Sequence, residues 1–277
     1  MVEEGAQRLS RNPPLTAGNG RVKEARKLSR RSVRTARRLF LADGPKAVQG
    51  ALEVPDRVIE VFATPAAAEQ YAALATTGPA WTLVDERALA SLSDSVNPAG
   101  VVAVCRFLDR PLAELLEAHH RAPGRGLLAI CADVRDPGNA GTVIRCADAA
   151  GADGVVLAGH SVDAYNPKTV RASVGSLFHL PISVEADATA AVRAAQRAGL
   201  QVLAADGAGE IDLDHAEELL ARPTAWLFGN EAWGLPGELA AVADHRVRIP
   251  IYGRAESLNL ATAAALCLYA TARHRRR

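Results

Sequence analysis

The apolar positions of this chain fall into short continuous runs separated by amphipathic stretches, a rhythm that predicts alternating strands and helices. In the first part, a basic amphipathic stretch over 21–38 predicts a helix. Strands follow at "RLFLADG", "DRVIEVFAT", "AWTLVD" and "GVVAVCRF", with helical stretches at 45–52, at 65–75 and just after "AWTLVD". In the second part the expected strands are "LLAICADV", "GVVLAG", "LPISV", "LQVLAAD", "TAWLFG" and "HRVRIPI". Helices are expected through "AGTVIRCADAAG", near 166–176, at 187–199, after Pro236 and over 257–273. Alternation of this kind implies an α/β fold. The later strands are apolar along their whole length, as strands of a parallel sheet covered on both faces must be.

Between the two series, "LDRPLAELLEAHHRAPGRG" is briefly amphipathic and then rich in Pro and Gly, the composition of a linker. The expected organisation is a turn-rich lead-in over 1–20, a first domain over 21–106, a linker over 107–126 and a second domain over 127–277. A chain of 277 residues, 49% hydrophobic, can bury at least one sizeable core, has the length of one or two domains and does not read as disordered. Its longest apolar stretches, such as "GVVAVCRFL" and "ATAAALCLYA", fall short of the roughly 20 residues of a membrane span. The start lacks the pattern of a secretory signal, and a soluble cytoplasmic protein is expected. Cys105, Cys131, Cys146 and Cys267 are not at metal-ligand spacing, and His119 and His120 have no ligand partner nearby, so no metal is expected.

Charge changes the picture more than composition does. The formal net charge of +1 hides nine Lys or Arg against one Glu over 21–38, and four more Arg in the closing "RHRRR". The rest of the chain is acidic. Such a layout fits a local patch for a polyanion, the alternative being a solvated helix face.

Three glycine-bearing loops follow apolar strands in the second part: "DVRDPGNAGTVIR", "LFGNEAWGLP" and "RIPIYGRAESLNLATAAALCLY". The first opens a helix, whose free N–H groups can hold an anion, but neither a GxGxxG nor a GxxxxGK[ST] pattern is present. In the second, Glu231 sits between two glycines where a carboxylate must be solvated or paired. In the third, Ser257 or Asn259 can cap the last helix. Ligands of open α/β sheets bind at the carboxyl ends of strands, the edge where all three loops belong.

The stretches "DPGNAGTVIRCADAAGADGVVL", "FGNEAWGLP" and "IPIYGRAESLNLATAAALCLY", with "NPKTVRASVGSLFHLPI" between the first two, resemble the ordered motifs of the SpoU, or TrmH-type, RNA ribose 2′-O-methyltransferases. The first part, with "VKEARKLSRRSVRTARRLFLADG", resembles the small ribosomal-protein-like RNA-binding domain of many rRNA-directed members, with Asp43 where that family more often has Glu. The resemblance implies a second α/β domain with a deep trefoil knot, a homodimer, and S-adenosylmethionine as cofactor. It carries cofactor binding onto Gly229, Ile249, Pro250 and Leu258, and catalytic function onto Asn139, Arg145, Glu231, Ser257 and Asn259. Arg145 is either the base for the ribose hydroxyl or the group that steadies charge on its oxygen. A guanidinium with a pKa above about 12 favours the second role.

For the RNA itself, the candidate contacts are Arg30, Arg31, Arg34, Arg37 and Arg38 on the basic stretch, with Lys168 and Arg171 one helical turn apart. Aromatic residues are only 4% of the chain and are not interleaved with the basic cluster, which favours recognition of a folded RNA by shape and backbone. The separate first domain favours 23S rRNA over tRNA as target. A non-catalytic RNA-binding or ribosome-assembly protein of the same fold is the competing expectation, and the intact polar set argues against it. A dinucleotide oxidoreductase lacks its glycine fingerprint.

Overall fold

The computed structural model describes residues 13–121 and 126–275, which fall into two compact units. Most of the lead-in, part of the linker and the last two arginines lie outside the described residues.

The first unit runs to Leu108 and takes in Tyr165–Phe178. Its sheet has β1 (Leu39–Asp43), β2 (Val58–Ala63), β3 (Trp81–Leu83) and β4 (Val101–Arg106) in the order β1-β4-β2-β3, with β4 antiparallel to both neighbours and β3 parallel to β2. The basic stretch is not one helix. Helix α1 (Gly20–Arg26) passes through a 3₁₀ turn, Lys27–Ser29, to an extended Arg30 (φ −90°, ψ 127°), which starts α2 (Arg31–Arg37). Val22, Ala25 and Leu28 pack with Leu41, Phe62, Val84 and Val104 in the core of this unit. Helix α3 (Pro45–Glu53) begins on a proline, whose missing N–H is not needed in a first turn. The helix expected near 166–176 stops at Ser173, because Val174 (φ +51°) and Gly175 (φ +95°) turn left-handed before a short helix over Ser176–His179. Phe107 and Tyr165 stack here with Phe40 tilted against Tyr165, and the Tyr165 hydroxyl accepts from the Leu108 amide at 2.7 Å.

The second unit is built on seven strands: β5 (Leu127–Ala132), β6 (Gly154–Ala158), β7 (Ile182–Glu185), β8 (Gln201–Ala205), β9 (Ile211–Asp212), β10 (Thr224–Phe228) and β11 (His245–Arg248). Their order is β7-β6-β5-β10-β8-β11-β9 and every pairing is parallel. The two-residue β9 was not expected, since so short a strand carries no periodic signal. Alternate residues of β10 serve opposite faces. Ala225 and Leu227 join Leu128, Ile130 and Val202 against α5 (Ala188–Arg197), while Trp226 donates its indole N–H to Thr271 Oγ1 of α6 (Leu260–Arg275) at 2.8 Å. Helix α4 (Pro137–Ala150) packs on α6. Because the strands run parallel, the loops after β5, β10 and β11 all leave the same edge.

Candidate active site at the carboxyl edge of the parallel sheet

Each of the three loops is fixed by its own backbone chemistry. After β5, Asp133 adopts a left-handed conformation (φ +56°), and its carboxylate accepts from the His160 amide at 2.7 Å. Asp136 then caps α4 by accepting from the Asn139 amide at 2.8 Å, and Pro137 takes the first helical position, so α4 starts three residues earlier than the apolar pattern suggested. After β10, the loop folds back on itself: Asn230 and Gly234 exchange both backbone N–H···O bonds at 2.9 Å. A Cβ on Gly229 would stand 2.4 Å from the carbonyl carbon and oxygen of Gly234. The chain's own backbone thus demands glycine there. After β11, Asn259 caps α6, its side-chain oxygen accepting from the Ala261 and Thr262 amides at 2.9 and 3.3 Å. Ser257 is exposed and takes no part in that cap.

The three loops are tied to one another by a short polar chain. The Glu231 carboxylate accepts from the backbone N–H groups of Arg135 (3.1 Å) and Asp136 (2.9 Å) and from the Asn139 side chain (3.3 Å). The Asn139 amide oxygen in turn accepts from Asn259 Nδ2 at 3.0 Å. Burial pushes the Glu231 pKa up, but the Arg135 and Asp136 amides and the Asn139 side chain outweigh that, and the carboxyl sits below its ordinary value. Beneath this chain lies a residue that the sequence reading passed over. Asn230 is buried, donates to the Asp133 carbonyl at 2.7 Å and accepts from the Ala232 amide at 2.8 Å, which joins the first loop to the second. Its neighbour Glu231 drew attention as a charge between glycines. An asparagine in the same place carries no such signal.

Gly229, Ile249 and Leu258 line one cavity of about 260 Å³, together with Glu231, Ser257 and Val247. Pro250 instead lines an adjoining groove of about 580 Å³ with Leu266 and Tyr269 of α6. The chemistry of the smaller cavity fits S-adenosylmethionine. Val247, Ile249 and Leu258 offer apolar cover for a purine, and the Asp206 and Glu256 carboxylates on its wall suit cationic groups. Arg145 lies on α4 outside that lining, exposed and without an ion pair among the described residues.

The basic residues of the first unit divide sharply. Arg34, expected on an RNA-facing surface, is only 3% exposed: its guanidinium donates to the Leu28 and Ser29 carbonyls at 2.9 and 2.7 Å and closes the break between α1 and α2. It is a structural residue, and the expectation is corrected. Arg37 pairs with Glu24 at 2.6 Å, and Arg38 lies over the Phe107 ring at 4.7 Å. Arg30 and Arg31 are exposed. Lys168 is exposed on the helix Pro167–Ser173, and Arg171 pairs with Asp94 at 3.4 Å. Among the described residues no group of three His, Cys, Asp or Glu is arranged to hold a metal, and no helix is long and apolar enough to cross a membrane.

Known proteins match this architecture in both halves. Residues 126–269 match the sequence model of the SpoU rRNA methylase family, and residues 19–103 match an MRM3-like substrate binding domain. Over 257 residues the chain is 34% identical to the 23S rRNA (guanosine(2553)-2′-O)-methyltransferase RlmP of Bacillus subtilis, covering 92% of this chain and 96% of that one. An AdoMet-bound rRNA methyltransferase from Sinorhizobium meliloti is 35% identical with a TM-score of 0.82, covering 96% of this chain and 98% of its own. The SpoU methyltransferase AviRb from Streptomyces viridochromogenes, in complex with the cofactor AdoMet, is 31% identical with a TM-score of 0.78, covering 93% and 99%. With its three loops at one sheet edge and the family's sequence model spanning them, the chain belongs to the SpoU rRNA methylase family.

Proposed function

We propose that the protein transfers a methyl group from S-adenosylmethionine to a ribose 2′-hydroxyl in 23S rRNA. The observation that carries this reading is the convergence of Asn139, Glu231 and Asn259 from three loops beside a cavity walled by Ile249 and Leu258. When bound, S-adenosylmethionine supplies an electrophilic methyl on a cationic sulfur. The chain's own residues then have three tasks: to hold the ribose, to let its hydroxyl proton leave, and to steady the oxygen as it gains negative character.

Arg145 suits the third task. Among the described residues its charge is not neutralised by an ion pair, and a guanidinium is a poor proton acceptor but a good forked donor to a phosphate or an alkoxide. Ser257, exposed at the cavity wall, presents a hydroxyl for orienting the ribose. Asn139, Glu231 and Asn259 hold one another and act chiefly by fixing the loops. Arg30, Arg31, Arg37, Arg38, Lys168 and Arg171 supply contacts to the RNA backbone. In this reading substrate binding falls to the first unit, which besides the expected 21–106 takes in Tyr165–Phe178 with Lys168 and Arg171, and methyl transfer falls to the second unit.

The same reading makes the protein a cytoplasmic homodimer whose second domain is knotted. The partly exposed Leu266 and Tyr269 on α6, beside the 580 Å³ groove, support a subunit contact there. Sedimentation of the purified protein gives a dimer if this is right. Incubation of ribosomal and transfer RNA with labelled cofactor, followed by mapping of the label, tests the activity. Label in 23S rRNA is the expected result, label only in tRNA overturns the target, and no label in any RNA overturns the enzyme reading.

A further inference from the structure

The chain has three tryptophans, and the structure treats them differently. Trp81 and Trp226 are fully buried, whereas Trp233 is 60% exposed. It sits in the loop after β10, two residues beyond Glu231 and one before Gly234, and its side chain is not part of the cofactor cavity although its neighbours Ala232 and Gly234 are. Full burial of a large apolar side chain is worth about 1.5–3 kcal/mol, and an indole at the mouth of a site forgoes most of that. The described residues leave 60% of its surface uncovered.

The loop that carries it is rigid. The paired N–H···O bonds between Asn230 and Gly234, the Asn230 side-chain bond to the Ala232 amide and the Glu231 bonds to Arg135 and Asp136 leave the four residues from 230 to 233 few conformations. An aromatic ring held out on a braced loop is pre-organised for a flat partner, and binding there orders little that is not already ordered. The carboxylate two residues away belongs to the polar chain that joins Asn139 and Asn259, so the indole and the site's polar residues are carried on one braced loop.

We infer that Trp233 is a stacking platform for an unpaired base of the RNA, adjacent to the nucleotide whose ribose is methylated. The inference rests on the RNA-methylation reading above and adds to it a requirement on the substrate: the target stands in a loop or bulge, where a neighbouring base can be splayed onto the ring, and not in a continuous duplex. Stacking on an aromatic side chain tolerates any base, so Trp233 contributes affinity and placement of the ribose and leaves the identity of the nucleotide to other contacts.

The test compares wild-type protein with Trp233→Ala and Trp233→Phe on 23S rRNA, measuring label transfer, RNA affinity, cofactor affinity by calorimetry and sedimentation. Trp233→Ala is expected to weaken RNA binding about tenfold and Trp233→Phe to recover most of the loss, with cofactor affinity unchanged. Because the other tryptophans are buried, RNA also quenches the accessible part of the wild-type fluorescence, and that change is absent in Trp233→Ala. Unchanged RNA affinity in Trp233→Ala, with the wild type active, overturns the inference and leaves the enzyme reading standing. A loss of dimer in Trp233→Ala overturns it in favour of a second copy of the chain as the indole's partner. An inactive wild type that binds no RNA removes the reading on which it rests.

Discussion

The basic helix pair of the first unit and the loop edge of the second use polar residues in opposite ways. Along α1 and α2 the charges lie close in sequence, and much of their capacity is spent locally: Arg34 on two carbonyls, Arg37 and Lys27 on Glu24, Arg21 on Glu60. At the loop edge the polar residues are far apart in sequence, with Asn139 and Asn259 separated by 120 positions, and they find one another only in the folded sheet. Local density of charge is therefore a weaker guide to a surface than it looks. A scattered set of small amides and one carboxylate is a stronger guide to a site.

Substitutions that break each region should separate these two kinds of use. The largest effect is expected from Gly229→Ala, since the new methyl group falls on the Gly234 carbonyl. Overpacking of about 1–3 kcal/mol opens the loop, and calorimetry should show cofactor affinity down by more than about tenfold. Next comes Glu231→Gln, which removes the charge that gathers the Arg135 and Asp136 amides. Turnover should fall by up to about tenfold with little change in thermal stability, as expected when reacting groups are displaced by a fraction of an ångström.

On the other side of the comparison, Arg34→Ala leaves two carbonyls unsatisfied and should lower unfolding free energy by about 1–3 kcal/mol in urea melts, with the loop edge unaffected. The double variant Arg30→Ala, Arg31→Ala should leave stability within about 0.5 kcal/mol, yet reduce the salt dependence of RNA binding by about two phosphate contacts. The smallest effect concerns pH. The Glu231 pKa is lowered in the folded protein, so its contribution to the loop ties is complete above the ordinary carboxylate range. That contribution is lost as pH falls through the depressed value. Cofactor affinity should thus be flat from neutral pH down to the carboxylate range and fall below it, and Glu231→Gln should remove that fall.

Much of this was legible in the sequence. Strands β5, β6, β8 and β10 read as apolar runs because both their faces are covered, and the three glycine-bearing loops could be placed at strand ends by pattern alone. The break at Arg30 was not legible, since α1 and α2 have the same composition and what divides them is a side chain reaching back to Leu28 and Ser29. Nor was the end of the helix at Ser173, where a left-handed valine gives no warning. Asn230 stayed hidden for another reason. Its role depends on the carbonyl of Asp133, 97 residues earlier, and a partner at that distance is supplied by topology and by no local pattern.

That dependence has a bearing on how the protein comes into being. Strands β5 and β10 are neighbours in the sheet but lie on opposite sides of β6, β7, β8 and β9 in the chain, so their pairing closes a long loop. The ties from Asn230 and Glu231 across to residues 133–136 form only after that closure. During synthesis or refolding, competence to bind the cofactor therefore appears as a late event, after most helical content is in place.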